Sequence, residues 1–418
     1  MKRLCGALLL AACSAASAEL LQFRSGHAKA QYQAGSYPDD SLLRELIGTP
    51  GHDVNGDLRL LVDGARERFS WQADYQLIAR SGDSLELNRA LQGTLFAPAG
   101  ELSDDRRLLD LTDTISDGDD YSLVQRLDRL HAGYTGDQAV LRIGRQAISW
   151  GNGLMYNPVD FFNPFDPAAV DKEYKSGDDM LYGQYLQDNG NDIELVAVWR
   201  RDADGNTGSD VNTQTLKYHA FVGAGELDLV AARHYRDNIV SVGGLTDLGG
   251  AIMRGAILRG DVLLTDTELD TYAAAVINLS YSWIGFGRNM SGVVEYFFNG
   301  MGLRQDDYRQ LPQQQDLVAR LARGELFTIG RHYLAGGVSI ELSPLFMATP
   351  NLFYNLGDSS GLVQLVAQYD LAQDWQLLVA GNIPFGASGT EFGGLDTGVD
   401  DLQLASGPSL FAQLAFYF

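Results

Sequence analysis

The sequence predicts an all-β chain closed into a single transmembrane antiparallel β-barrel. Three observations carry the prediction. Segments of strict two-residue alternation recur through most of the 418 residues. The connections between them are long on one side of the wall and short on the other. The chain ends in SLFAQLAFYF, an alternating apolar strand with aromatic tips.

The bulk numbers narrow the alternatives. Hydrophobic residues make up 45%, and 47 glycines are about 11% of the chain against the usual ~7%. Beyond the N-terminal segment no apolar run approaches about 18 residues, so no helical membrane span is expected. A net charge of −23 excludes nucleic acid as a partner, because its phosphates would be repelled. The only cysteines, Cys5 and Cys13, fall in the first eighteen residues. A mature chain without them has no disulfide and no thiolate metal site, which suits an oxidising compartment.

The first twenty residues, MKRLCGALLLAACSAASAEL, read as an export signal. Lys2 and Arg3 are the charged start, Leu4 to Ala12 the apolar core, and Ala16-Ser17-Ala18 an A-x-A cleavage site. Residues 1–18 are thus expected to be removed, leaving a barrel of residues 19–418. The rival reading is a lipoprotein signal, Leu10-Ala11-Ala12-Cys13, with Cys13 acylated.

The strands follow in order. Alternation places them near 24–34, 55–64, 68–80, 121–133, 138–149, 179–187, 191–201, 213–223, 226–235, 238–245, 250–262, 269–283, 289–299, 331–342, 346–355, 359–369, 374–384 and 409–418. The longest runs from Leu269 to Trp283. There Thr271, Ala273, Ile277, Leu279, Tyr281 and Trp283 oppose Asp270, Asn278, Ser280 and Ser282. In NDIELVAVWRR, Ile193, Leu195, Ala197 and Trp199 oppose Asp192, Glu194 and Arg200. Several segments run longer than soluble strands and suit a tilted membrane strand. Trp150, Trp199, Tyr235, Trp283, Tyr354, Tyr369 and Trp375 sit near strand ends, where aromatic rings favour the headgroup boundary. The connectors 35–54, 81–120, 150–178, 202–212, 300–330 and 385–408 all fall on one side. The other side receives turns such as TGD, DNGN, GAGE and LAQD. Short periplasmic turns and long extracellular loops are the signature of an outer-membrane barrel. The count is about 18. Sixteen is the alternative, because 24–34 and 238–245 alternate less regularly. Leu410, Ala412, Leu414, Phe416 and Phe418 would face lipid on the closing strand. A terminal aromatic there resembles the signal read by the barrel-assembly machinery of Gram-negative outer membranes.

One stretch is dense in motifs: LRIGRQAISWGNGLMYNPVDFFNPFDP, Leu141 to Pro167. Arg142, Gly144 and Gln146 share one strand face, and Leu141 and Ile143 the other. Trp150-Gly151 closes the strand. The loop then carries the turn initiators Asn157-Pro158 and Asn163-Pro164, with Phe161, Phe162 and Phe165 between and beside them. So apolar a loop is expected either inside the lumen as a constriction or folded over the mouth. LRIGRQ followed by WGNG resembles the alginate-export family of outer-membrane barrels. That resemblance implies an 18-stranded barrel with an arginine-rich lumen for an anionic polysaccharide. Net acidity and the inward acids Asp192, Glu194, Asp228 and Glu295 depart from that pattern. GTEFGG, Gly389 to Gly394, is similar to the last external loop of a porin-like group and implies no substrate.

Other constellations are sparser. Residues 101–120 hold eight Asp or Glu against two Arg. DADGNTGSD resembles a calcium loop through Asp202, Asp204 and Asn206, with Asp210 beyond, but the glutamate at position twelve is replaced by Thr213. A solvated acidic rim bridged through divalent cations to lipopolysaccharide is the other reading. His219 and His234 lie on adjacent strands but in no nucleophile–base motif, so no enzyme and no cofactor are expected. The expected function is a porin-like outer-membrane channel for diffusion of small hydrophilic solutes. The alternatives are a dedicated exporter or importer of one polysaccharide or apolar compound, and a plugged surface barrel. Its pore and constriction candidates are Arg142, Gln146, Trp150, Phe161, Phe162, Asp192, Glu194, Arg200, Lys217, Glu295 and Arg331. Acidic loops at the mouth predict a cation preference at low salt.

Overall fold

The computed structural model describes residues 21–92, 94, 103–249, 254–399 and 401–418. The expected signal segment and residues 101 and 102 of the acidic stretch lie outside them. Among the described residues there are twenty-one strands: β1 Gln22–Gly35, β2 Gly51–Arg66, β3 Phe69–Gly82, β4 Thr112–Asp117, β5 Tyr121–Thr135, β6 Ala139–Gln146, β7 Asp178–Leu186, β8 Asp192–Val198, β9 Thr213–Val222, β10 Gly225–His234, β11 Asp237–Asp247, β12 Ile257–Asp266, β13 Thr271–Gly285, β14 Arg288–Asn299, β15 His332–Ser343, β16 Phe346–Asn355, β17 Ser360–Ala372, β18 Trp375–Phe385, β19 Leu395–Asp396, β20 Gln403–Leu404 and β21 Ser409–Tyr417. All but β4, β19 and β20 form the wall. Each pairs antiparallel with the next, and β1 pairs with β21 from His27↔Tyr417 to Gly35↔Ser409, which closes the barrel at eighteen strands. The expected β12 began at residue 250; it begins at Ile257, and residues 250–253 lie outside the described residues.

The wall is apolar outside and polar inside. Leu141, Ile143, Leu195, Val240, Val242, Val262, Leu352, Leu365 and Ile383 are exposed, whereas Asp261, Asn278, Glu295, Gln364 and Gln413 are buried. That is the inverse of a water-soluble domain and fits a wall solvated by lipid. Among the described residues no helix is long and apolar enough to cross a membrane. Phe416 and Phe418 lie on the outward face of β21 with Leu410 and Leu414, as the alternation predicts. The Phe418 ring stacks on Phe23 at 6.0 Å between centroids.

Two irregularities break the alternation. The register of β3 on β5 shifts between Asp74 and Tyr75, a bulge that turns both Asp128 and Arg129 inward. In β6, Gly144 has φ +123°, and a Cβ there would lie 2.2 Å from the Leu130 carbonyl oxygen. Just beyond it the chain leaves the wall. The edge of β5 that β6 vacates is taken by β4, which pairs Thr112–Asp117 with 122–126. The segment before β4 crosses the ends of β6, β7 and β8. Arg145, with almost no exposed surface, donates to Asp179 (2.9 Å), Asp104 (2.7 Å) and the Leu109 carbonyl (2.6 Å). Arg201 N–H donates to the Arg106 carbonyl (3.0 Å). The gap is thereby sealed with charge-assisted bonds.

Candidate functional site in the barrel lumen

Residues 147–177, between β6 and β7, fold inside the barrel, and the acids of the wall hold them there. Trp150 Nε1 donates to Glu194 on β8 (3.2 Å). The N–H of Asn152 donates to Asp261 on β12 (2.6 Å). Glu295 on β14, with no exposed surface, accepts three successive backbone N–H groups, from Leu154 (2.7 Å), Met155 (3.0 Å) and Tyr156 (2.6 Å), and Asn278 Nδ2 (3.1 Å). A carboxylate in such a nest of donors is a strong anchor. Glu194, Asp261 and Glu295 are therefore seats for the loop.

The apolar residues of the loop do the rest. Ile148, Trp150, Val159, Phe161 and Phe162 pack with Met180, Tyr182, Val196, Val230 and Leu263 of the wall. Tyr156 stacks on Phe297 at 5.0 Å between centroids and contacts Tyr333 and Phe353. Lys175 ties the loop to itself, donating to both oxygens of Asp160 (2.6 Å each), the Ile148 carbonyl (2.7 Å) and Ser149 Oγ (3.0 Å). Its far end reaches the closure between the first and last strands. Lys29 on β1 pairs with Asp171 (2.6 Å) and Glu173 (2.7 Å), and Tyr417 on β21 donates to Glu173 (3.1 Å). Tyr174 lies 4.2 Å from the Arg59 guanidinium of β2.

The loop fills the side of the lumen facing β7 to β16. On the other side a polar cavity of about 460 Å³ remains, between β1–β3, the helix Asp83–Leu91 and Ser176. Gln31, Gln33, Asn55, Asp57, Arg80 and Arg126 line it. Most of its charges are engaged. Asp53 accepts from Ser84 (2.5 Å), Asp57 from Gln76, and Arg126 donates to Gln76 (2.7 Å). Arg80 has no hydrogen bond or ion pair among the described residues. Below lies a buried cluster in which Asp128 takes Arg59 (2.9 Å) and Arg129 (2.6 Å).

The residues expected at a constriction divide accordingly. Trp150, Phe161 and Phe162 are nearly fully buried. They anchor the loop, and the rings do not line a passage; Trp150 is not at the lipid boundary, which corrects the reading of it as a rim aromatic. Tyr235 is likewise turned inward, between Arg200 (5.2 Å) and Arg323 (4.3 Å). Arg142 faces inward, over the Tyr182 ring at 4.4 Å. Gln146 is buried and donates to the Met180 carbonyl (3.4 Å). Asp192 is buried near the periplasmic end of β8. Lys217 lies between Glu194 (3.4 Å) and Asp228 (3.3 Å). Arg200 is tied to Asp178 (2.7 Å) and Thr213 (2.6 Å) at the rim, and Arg331 to the Gly302 carbonyl (2.7 Å). The sequence reading missed Lys29, Arg59, Arg80, Arg126, Arg129 and Arg145. The bulge at Asp128 and the departure of β6 put two of these, Arg129 and Arg145, where alternation does not.

The remaining constellations stay apart. Asp202 Oδ1 accepts the N–H groups of Asp204 (2.9 Å) and Asn206 (2.8 Å), a turn closed on itself. Asp210 pairs with Arg236 (3.5 Å). Among the described residues no three His, Cys, Asp or Glu converge to hold a metal, so these four do not assemble into a site. His219 meets Asp228 (3.0 Å), while His234, at the opposite end of the same strand pair, meets Thr213 and Glu325 (2.8 Å each).

No family model matches the chain, and no curated protein matches it. Solved structures do. The chain is similar to OccAB1 of Acinetobacter baumannii, with TM-score 0.57 and 9% identity over 94% of this chain and 95% of that one. OccAB4 of the same organism gives 0.53 and 10% over 94% and 97%. OccK7 (OpdD) of Pseudomonas aeruginosa gives 0.50 and 10% over 94% and 98%. Likenesses at such identity show the fold. With the pairing of β1 on β21, they define the fold as a closed eighteen-stranded antiparallel barrel, and its apolar outer wall suits a membrane. The resemblance of LRIGRQ and WGNG to the alginate-export family gains nothing from these comparisons and rests on that stretch alone.

Proposed function

We propose that the protein is an outer-membrane channel for passive diffusion of small hydrophilic solutes, narrowed by residues 147–177. The observation that carries this reading is the seated loop, which leaves a polar cavity along β1–β3 where the opposite side is packed shut. An eighteen-stranded wall is wide enough for an aqueous passage beside such a loop. The cation in that cavity without a hydrogen bond or ion pair among the described residues is the guanidinium of Arg80. Of the acids of the mouth at 202–210, Asp202 is engaged in a turn and Asp210 with Arg236. We therefore infer a preference for anionic over cationic solutes, opposite to what loop composition alone predicts. Lipid, lipopolysaccharide at the rim, and the assembly machinery at Phe416 and Phe418 are the other proposed partners. Liposome swelling over a size series of sugars and organic acids tests the channel, with reversal potentials in a KCl gradient for selectivity. No swelling for any solute removes the channel reading, and cation selectivity removes the role given to Arg80.

A further inference from the structure

The polar cavity along β1–β3 is blind at its lower end. Ser176 of the loop 147–177 lines it, together with Gln31 and Asp57. One step further toward the periplasm the inward groups are His27, Arg59, Asp74, Asp128 and Lys175, all nearly without exposed surface. A water-wide opening at that level would wet at least one of them. The other side of the lumen is packed by the apolar residues of the loop.

Water returns below. Ser282 on β13 and Ser291 on β14 share the inward face of Asn278 and Glu295, yet both are exposed. Glu173 is exposed as well. It accepts from Tyr417 (3.1 Å), whose N–H donates to the Asp374 carbonyl (2.9 Å) in the short turn between β17 and β18. Glu173 therefore meets the periplasmic water, and Ser176 the outer water. Three residues span at most about 10 Å. The partition is thin, and Tyr174 and Lys175 are the loop's share of it.

Most of that partition is pinned. Lys175 is held by Asp160 and the Ile148 carbonyl. Arg59 donates to Asp128 (2.9 Å), and Arg129 to Asp128 (2.6 Å) and to the Lys175 carbonyl (2.5 Å). Tyr174 is the exception. Its Oη makes no hydrogen bond among the described residues, and part of the residue is already exposed. Ring contacts hold it: the Arg59 guanidinium at 4.2 Å, the His27 ring at 5.3 Å and Lys29 Nζ at 5.9 Å.

We propose that Tyr174 is the gate residue of the passage. While its ring lies on Arg59, the cavity above and the lumen below are separate. When the ring swings off Arg59 they join, and the gap between Arg59 and the loop backbone sets the largest solute that passes. The proposal rests on the channel reading above. A desolvated cation–π contact of this kind favours the closed ring by about 10- to 30-fold.

The test uses the full mature chain. Tyr174→Ala should raise mean conductance in planar bilayers by about tenfold and move the liposome-swelling cut-off to larger sugars. Tyr174→Phe keeps the ring and should match the wild type in both. Residues 19–418 contain no cysteine, so Ser176→Cys introduces a single reporter thiol. A charged methanethiosulfonate should modify it about tenfold faster from the outer side than from the periplasmic side, and adding Tyr174→Ala should make the two rates equal. A conducting wild type with unchanged conductance and cut-off in Tyr174→Ala overturns the gate and leaves the channel reading standing. Rates already equal without Tyr174→Ala, or still unequal with it, also overturn the gate, as does a Tyr174→Phe that behaves like Tyr174→Ala. No conductance in any variant, with rates made equal only by Tyr174→Ala, supports the partition at Tyr174 and removes the channel reading instead.

Discussion

Replacing Glu295 should unseat the loop 147–177. Its carboxylate accepts three consecutive backbone N–H groups of the loop at 2.6–3.0 Å, and the residue has no exposed surface. Glu295→Ala leaves those three donors without an acceptor. Each costs ~1–3 kcal/mol if it stays dry. Water can follow the lost side chain into a polar lumen, so the lower end applies, about 3 kcal/mol in total. That is roughly a 150-fold shift in the ratio of seated to unseated loop. Glu295→Gln keeps one oxygen and should lose about half of that free energy. Limited trypsin treatment in liposomes reads the change directly, because Lys175 is buried in the seated loop and unseating exposes it. Conductance should rise in the same order, wild type, Gln, Ala. If Glu295→Ala shows wild-type conductance and wild-type protease resistance, the apolar contacts of Trp150, Tyr156, Phe161 and Phe162 hold the loop unaided and the seat is superfluous.

Arg80→Ala should move the reversal potential in a KCl gradient toward cations; an unchanged potential would show that Arg80 does not face the path. Lys29→Met removes a nearly buried partner of Asp171 and Glu173 and should lower stability by about 1–3 kcal/mol, seen as a lower temperature for loss of the heat-modifiable band. Deleting Phe418, which stacks on Phe23, should reduce the folded barrel in the outer membrane; normal levels of heat-modifiable protein would refute it. The mature chain should begin at Glu19 by intact mass, and the mass of an acylated Cys13 would contradict that cleavage.

Alternation exposed the wall because a lipid-facing strand must hide one face from water and the other from lipid. In β8, Ile193 and Leu195 separate from Asp192 and Glu194 as a period of two requires. The same rule fails where the backbone departs from a plain strand. Gly144 lets β6 leave the wall, so Arg145 lies among Asp104 and Asp179, neither near it in sequence. Asp128 and Arg129 both turn inward at a bulge that no residue pattern announces. The composition of the aromatic loop 150–178 points to a packed loop, inside the lumen or over the mouth, and the structure places it inside. What it would rest on was not legible, since Glu194, Asp261 and Glu295 read equally well as free lumen charges until their donors are known. Arg80 was hidden for the converse reason. Being unpaired is a property of its surroundings, and sequence gives only the residue.

The grip of Glu173 on both Lys29 and Tyr417 bears on the order of assembly. The first and last strands are joined only when the final residues of the chain arrive, whereas residues 147–177 are made long before. A loop seated before the closing strands meet would offer them a template, Asp171 and Glu173 for β1 and Glu173 for β21. A barrel that closed empty would have to thread thirty-odd residues through its own mouth afterwards. Such a loop doubles as a fitting jig for the joint, and a chain with it excised should close slowly or in the wrong register.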